Sequence, residues 1–317
     1  MIELNELNSL KMVYNIIYSF HMPLFFMISG YCIGMKKDFA DTKFIQELKK
    51  VFFRLILPYL VWSLLYIVIS GKFDSAARYV ATVTLRGIAP LWFLATLAMC
   101  ELSFFAFSKL IRKHNTICKN IILAIVAIVS VIIGFVMQIL KAELNLDADT
   151  MTRAGYYVFI TFGRLFISLP PYILGYILKK SGFIYKAGKL ISLIMGIVLI
   201  CGVSVLVISL QLRNNCHLFY TNNYWMFTLV ALLGAIGVMM LSYSAERIHL
   251  ILGYLGQNSL GLMILHYIPF KTVKYSYNAV SPIWNNEIFI SIAATIVATS
   301  ATLGVIYLVK KKFFLYK

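Results

Sequence analysis

His21 and His266 are the residues of this chain best suited to move a proton at neutral pH. A neutral imidazole can accept the proton of an attacking hydroxyl, and both histidines lie within or beside long apolar runs. His21 belongs to the segment F-H-M-P-L-F-F-M-I-S-G-Y-C-I-G over 20–34, where Pro, Ser and Gly stand in place of the Leu and Val that lipid alone would favour. Polar and helix-breaking residues at membrane depth are costly unless they face protein or a cavity, so this helix is expected to line one. Phe25, Ser29 and Cys32 share roughly the face of His21 at helical spacing, which makes Ser29 a candidate substrate contact. A single histidine at a membrane interface is commonly just a satisfied polar group. Two at one depth point towards chemistry.

Glu101 is the second unusual residue, an ionisable group near the middle of an apolar run. Such a group costs roughly 2.5–3.5 kcal/mol at the bilayer centre unless it is paired, hydrated or protonated. Arg164, inside another run, is its natural partner by sequence. Either the two form a pair that only fixes a bundle, or one or both face a reaction cavity, Glu101 as a catalytic group and Arg164 as a substrate contact. Trp92, in Pro90-Leu-Trp-Phe-Leu94, reads as an interfacial anchor or as a packing wall for a sugar or acyl group. Nine residues separate Trp92 from Glu101, half a revolution out of phase, so the two are not expected to line one narrow cavity.

The segment Lys49-Lys-Val-Phe-Phe-Arg54 precedes Pro58 at the mouth of a further run. Its charge is ordinary membrane-flanking charge, or an anion site in which Lys49, Lys50 and Arg54 hold the phosphates of a donor such as a coenzyme A ester. Asn258 and Ser259 open another run and suit a helix N-cap, with Asn258 also a candidate substrate contact. Pro170-Pro171 is expected to break or kink its helix and free backbone carbonyls beside a cavity. No Gly-rich phosphate loop, G-x-S-x-G elbow or H-E-x-x-H pair occurs, and five scattered cysteines support neither a disulfide framework nor a metal site.

The elements that position these residues follow from composition. The chain has 317 residues, of which 61% are hydrophobic and 13% charged, and its mean hydropathy is +0.84. A soluble domain of this length needs far more polar surface, so the fold class is an all-α, polytopic transmembrane helix bundle. Nine apolar runs, at 15–35, 53–71, 89–108, 120–140, 156–178, 190–210, 224–243, 251–270 and 288–309, are long enough to span a membrane. Loops are short and no linker divides residues 1–317, which reads as a single domain. The formal charge of +17 falls in short clusters between runs, without a basic domain, which argues for membrane flanks and against nucleic acid.

Loops of one side carry roughly twice the Lys and Arg of the other, including Lys36, Lys37, Lys109, Arg112, Lys179 and Lys310. That bias places this side, with the C-terminus, in the cytoplasm of a cell (inner) membrane. Nine spans then put the N-terminus outside, with residues 1–14 a non-spanning outer segment that carries no signal peptide. A further helix upstream would equally account for this topology.

Four segments in order resemble the acyltransferase-3 family of integral-membrane acyl-transfer enzymes: F-H-M-P-L-F-F-M-I-S-G-Y (20–31), K-K-V-F-F-R-L-I-L-P-Y (49–59), P-L-W-F-L (90–94) and L-G-Q-N-S-L-G-L-M-I-L-H (255–266). The resemblance is closest to the branch without an extra soluble domain, which includes fucose O-acetylase-like proteins. It implies a bundle of about ten helices that moves an acyl group, usually acetyl, from cytoplasmic acetyl-CoA to a hydroxyl of a cell-envelope sugar or glycolipid, without a metal. It assigns Arg54 and its basic neighbours to the CoA phosphates, and His21 and His266 to the interior polar site. Family members usually begin with another helix bearing an Arg and, about ten residues later, a catalytic His. Nothing before His21 matches that helix, which is expected to be missing here, so an inactive relative acting as a membrane partner is one reading. A lipid-linked glycan transporter or polymerase is another. Acceptor identity, acyl chain and oligomeric state are not encoded in any motif.

Overall fold

An apolar run in hydrocarbon must satisfy its own backbone hydrogen bonds, and this chain does so as helices. The computed structural model describes residues 2–36, 39–71, 75–144 and 152–245, with 253, 254, 256, 258–265, 296, 297, 299–304 and 307. Among the described residues, seven helical stretches are long and apolar enough to cross a membrane. They are Met12–Met35, Phe44–Ile69, Trp92–Leu110, Thr116–Glu143, Arg153–Ser181, Phe183–Ser209 and Tyr224–Ser244. These correspond to the first seven expected runs, and the bundle is all-α as expected. The runs at 251–270 and 288–309 fall largely outside the described residues.

The chain divides into two compact units, residues 1–88 with 92–245, and residues 89–91 with 246–317. In the second unit, the short helix Ser259–Leu265 follows Asn258, whose carbonyl accepts from the Leu262 amide at 2.8 Å. In the first unit the helices are α1 (Ile2–Met35), α2 (Phe44–Val51), α3 (Leu57–Ile69), α4 (Ala76–Val83), α5 (Trp92–Leu110), α6 (Thr116–Glu143), α7 (Arg153–Ser181), α8 (Phe183–Ser209) and α9 (Tyr224–Ser244).

Burial separates these helices by role. The apolar windows of α7 and α5 are 67% and 61% buried, against 17% for α6 and 22% for α8. α7 and α5 therefore form the interior, while α6 and α8 present Ile121, Ile125, Ile128, Leu190 and Ile194 outward as lipid-facing residues would. α1 packs along α7 in the same direction, and two glycines set how closely. A β-carbon on Gly30 would lie 1.9 Å from the Tyr172 carbonyl oxygen, and one on Gly175 would lie 1.9 Å from the Met27 carbonyl oxygen. Only a residue without a side chain permits that approach, the device by which membrane helices gain van der Waals contact.

Proline has two different outcomes. Between α2 and α3, residues Phe52–Ile56 form a π-helical turn, with the Leu57 amide donating to the Phe52 carbonyl. Pro58 cannot donate to the Arg54 carbonyl and its ring crowds it, so the turn widens there. In α7, by contrast, the helix runs unbroken through Pro170 and Pro171. The expected break does not occur because both prolines are buried among neighbouring helices that hold the chain in place. Their missing amides still withdraw the usual donors from the Phe166 and Ile167 carbonyls.

Candidate active site

Two polar clusters lie along the α1–α5–α7 core. At the end bearing the basic loops, the π-turn presents Arg54 to α5, where its guanidinium donates to the Glu101 carboxylate. The Arg54 side chain is 48% exposed and that of Glu101 only 3%. Glu47, also buried, accepts from Lys50 at 3.5 Å. One carboxylate oxygen on each of Glu47 and Glu101, with the Tyr172 hydroxyl, is buried without a hydrogen-bond partner. Lys49 is exposed beside them. This end therefore offers half-exposed cations whose acidic partners are sunk in protein.

The other end is built by two loops that Arg164 ties to α7. After α4, the chain turns through Leu85 and Gly87, both with positive φ, at 58° and 76°. Gly87 is required there twice over, because a β-carbon would also sit 2.6 Å from the Trp92 backbone. Tyr59 donates to the Thr82 carbonyl at 2.9 Å and Thr161 to that of Thr84 at 3.2 Å, fixing the loop between helices. The second loop, Asn-rich over 214–223, folds on its own side chains. Asn214–Asn215 pairs antiparallel with Tyr220–Thr221. Asn215 accepts from the Leu218 amide at 3.0 Å, Asn222 from Arg213 at 2.9 Å, and Asn223 caps α9 by accepting from Met226 at 3.2 Å. Lys141 of α6 donates to the Leu218 carbonyl at 2.8 Å.

Arg164 is 1% exposed. It donates through Nη1 to the Arg86 carbonyl at 2.6 Å and through Nη2 to the His217 carbonyl, one bond to each loop. Its guanidinium carbon lies 5.2 Å from the Trp92 ring centroid, a cation–π contact. The Trp92 ring in turn lies 6.1 Å from that of His217. Arg86 sits 4.3 Å over the Tyr157 ring. No carboxylate among the described residues pairs with Arg86 or Arg164, and the Nε of each is buried without an acceptor. A small cleft opens onto Arg164, lined by Met22, Pro23, Phe26, Trp92, Ile167, Ser168 and Cys216. The proline-bearing segment of α1 thus lines a cavity, as its composition requires.

Burial and the two guanidinium charges hold the His217 imidazole down at about 3, so it is neutral at pH 7. Burial pushes the Cys216 thiol up to about 12, only partly offset by Arg164, which leaves it protonated and a poor nucleophile.

The expected Glu101–Arg164 pair does not form. Trp92 and Phe104 meet Arg164 and Tyr172 in the same order, so α5 and α7 run parallel. Glu101 is then displaced from Arg164 by the nine residues that separate it from Trp92, about 13 Å along the axis. The phase argument against Trp92 and Glu101 sharing a cavity agrees with the structure. His21 is half-buried, its ring 4.8 Å from that of Tyr18 and its Nδ1 buried without a partner. The Ser29 hydroxyl donates to the Phe25 carbonyl at 2.8 Å, back into its own helix. Asn258 lies in the second unit, its side-chain amide donating to the Tyr254 carbonyl at 2.7 Å. His266 lies outside the described residues.

Sequence reasoning missed Arg86, His217, Cys216 and Glu47. Arg86 counts as one more flanking charge, and His217 lies in a polar loop with no motif; the Asn density of 214–223 was the one available sign of a structured loop.

A family model described as an acyltransferase domain matches residues 3–311. No curated protein and no solved structure matches the chain.

Proposed function

The chain belongs to the acyltransferase-3 family and is a membrane acyltransferase, and from that premise we propose that it carries an acetyl group from acetyl-CoA to a hydroxyl of a cell-envelope sugar or glycolipid. The match over 3–311 is the observation that carries this reading. In it, Lys49, Lys50 and Arg54 contact the phosphates of the donor on the cytoplasmic side of the inner membrane. The exposure of Lys50 and Arg54 favours this, because each can turn an unused donor to phosphate while keeping its acidic partner.

The thioester then has to reach from the level of Glu101 to that of Trp92, about 13 Å along α5. There the acceptor hydroxyl attacks the thioester carbonyl, its proton passes to a base, and the CoA thiolate departs as the ester forms. His21 is the proposed base within the described residues, and His266 is the other candidate for that role. His21 precedes Met22 and Pro23 of the cleft wall on α1, which favours it as the base. Trp92 and Arg164 supply the acceptor's apolar wall and polar contact. Cys216 is unsuited to a covalent intermediate, since its thiol stays protonated at neutral pH.

Membranes containing the protein, given acetyl-CoA labelled in the acetyl group, are expected to transfer label to a glycan, with the His21→Ala protein transferring at least tenfold less. Absence of any labelled glycan, with the protein present and folded, would overturn the reading.

A further inference from the structure

The Arg164 cleft presents a guanidinium that no acidic side chain among the described residues neutralises. A guanidinium 1% exposed lines it, and a second, Arg86, shares the same loop-tied end. Arg164 spends two of its nitrogens on backbone carbonyls, which are neutral, and leaves Nε without an acceptor. Arg86 likewise leaves Nε buried and unpartnered. Lys141, a third cation, is anchored to the Leu218 and Phe219 carbonyls of the same loop. No carboxylate among the described residues pairs with any of the three. Burying a charge without an opposite charge is among the costliest arrangements in a protein. A scaffold role for Arg164 explains its two carbonyl bonds. It does not explain a second guanidinium on the same loop-tied end whose Nε is also buried without an acceptor, nor a cleft that Arg164 lines.

We propose that the Arg164 cleft, with Arg86, is a binding site for an oxyanion carried by the acyl acceptor, a carboxylate or a phosphate. The proposal rests on the acyltransferase reading for the word acceptor, but the site itself is argued from the unpaired cations alone. Guanidinium groups bind both oxyanions through paired N–H donors. The cleft's other walls, Met22, Pro23, Phe26 and Ile167, are apolar and exclude water, which strengthens the attraction. Trp92, which also lines the cleft, carries the Arg164 cation on its ring and so fixes the guanidinium at the cleft wall. The acceptor class is therefore an acidic sugar or a phosphate-bearing glycolipid rather than a neutral glycan.

The test is direct binding to the purified full chain in detergent, without acyl-CoA, read as thermal stabilisation at constant ionic strength. The probes are glucuronate, inorganic phosphate and, as the neutral match, glucose. Stabilisation by glucuronate alone assigns a carboxylate-bearing acceptor, and by phosphate alone a phosphate-bearing one; either supports the site. Arg86→Gln keeps the backbone carbonyl that Arg164 uses, so it is expected to fold and to weaken anion binding at least tenfold. Lys113→Gln, which removes an exposed cation outside both sites, is expected to leave that binding unchanged. Equal shifts for glucose and both anions overturn the proposal, as does undiminished anion binding in folded Arg86→Gln protein. Because no acyl donor is present, failure here is separable from failure of the labelling experiment.

Discussion

Glu101 and Arg164 are both deeply buried charges on neighbouring helices, and the protein treats them oppositely. Glu101 meets a cation, Arg54, that keeps half its surface outside the protein. What remains unsatisfied around it are acceptors, on Glu101 and Glu47, together with the Tyr172 hydroxyl. Among the described residues Arg164 donates to backbone carbonyls and rests on the Trp92 ring, and what remains unsatisfied around it includes the guanidinium Nε atoms of Arg164 and Arg86. One end of the core carries its own counter-charge. The other, among the described residues, carries positive charge without an acidic partner. A paired charge can be structural and complete, whereas an unpaired one reserves its partner's place for something else, which is why the second end is read as the acceptor site.

The contrast can be broken first at the paired end. Arg54→Ala strips the buried Glu101 carboxylate of its hydrogen-bonded cation and is expected to cost about 3 kcal/mol of stability. Adding Glu101→Gln should restore most of it; denaturant unfolding in detergent reads both, and a fully stable single variant would show that the pair is idle.

At the unpaired end, pH supplies the next largest effect. His217 binds a proton near 6.5 when unfolded but only near 3 when folded. Between these values the unfolded chain holds the extra proton, so stability is greatest above about pH 6.5 and declines as pH falls towards 3, by a few kcal/mol in total. His217→Asn is expected to flatten the unfolding curve across that window. An unchanged slope would mean that the imidazole is not held neutral.

Arg164→Lys keeps the charge but not the fork, so one of the Arg86 and His217 carbonyls loses its donor. The expected loss is about 1–3 kcal/mol, visible in unfolding measurements, with the Arg54–Glu101 end unaffected. The smallest effect is the most discriminating. A double-mutant cycle between Glu101 and Arg164 should give a coupling within about 0.5 kcal/mol of zero, as for distant sites. A coupling of several times that size would restore the ion pair expected from sequence.

Why that pair was expected, and why it fails, marks the boundary of what a sequence tells. Two ionisable residues in different apolar runs are each recognisable as anomalies from the cost of burying them. Which of them meet depends on the depth at which α5 and α7 align, and that is set by the contacts of Trp92 with Arg164 and of Phe104 with Tyr172 and Tyr176. The partner of Glu101 comes instead from Arg54, read as a donor-binding surface charge and turned inward by the π-turn at Pro58. Arg86 and His217 were illegible for a similar reason. They lie on loops whose shape follows from a left-handed Gly87 and a ladder of Asn side chains, local features that carry no long-range address.

The sequence by itself determined the membrane bundle, the positions of seven of its helices and the family. Each of these rests on composition or on short contiguous patterns, because water and hydrocarbon select them residue by residue. Only the tertiary structure decided that Glu101 meets Arg54 and that Arg164 meets the Arg86 and His217 carbonyls. Helix depth and loop closure are summed over many weak contacts between distant parts of the chain, and no single stretch of sequence contains that sum.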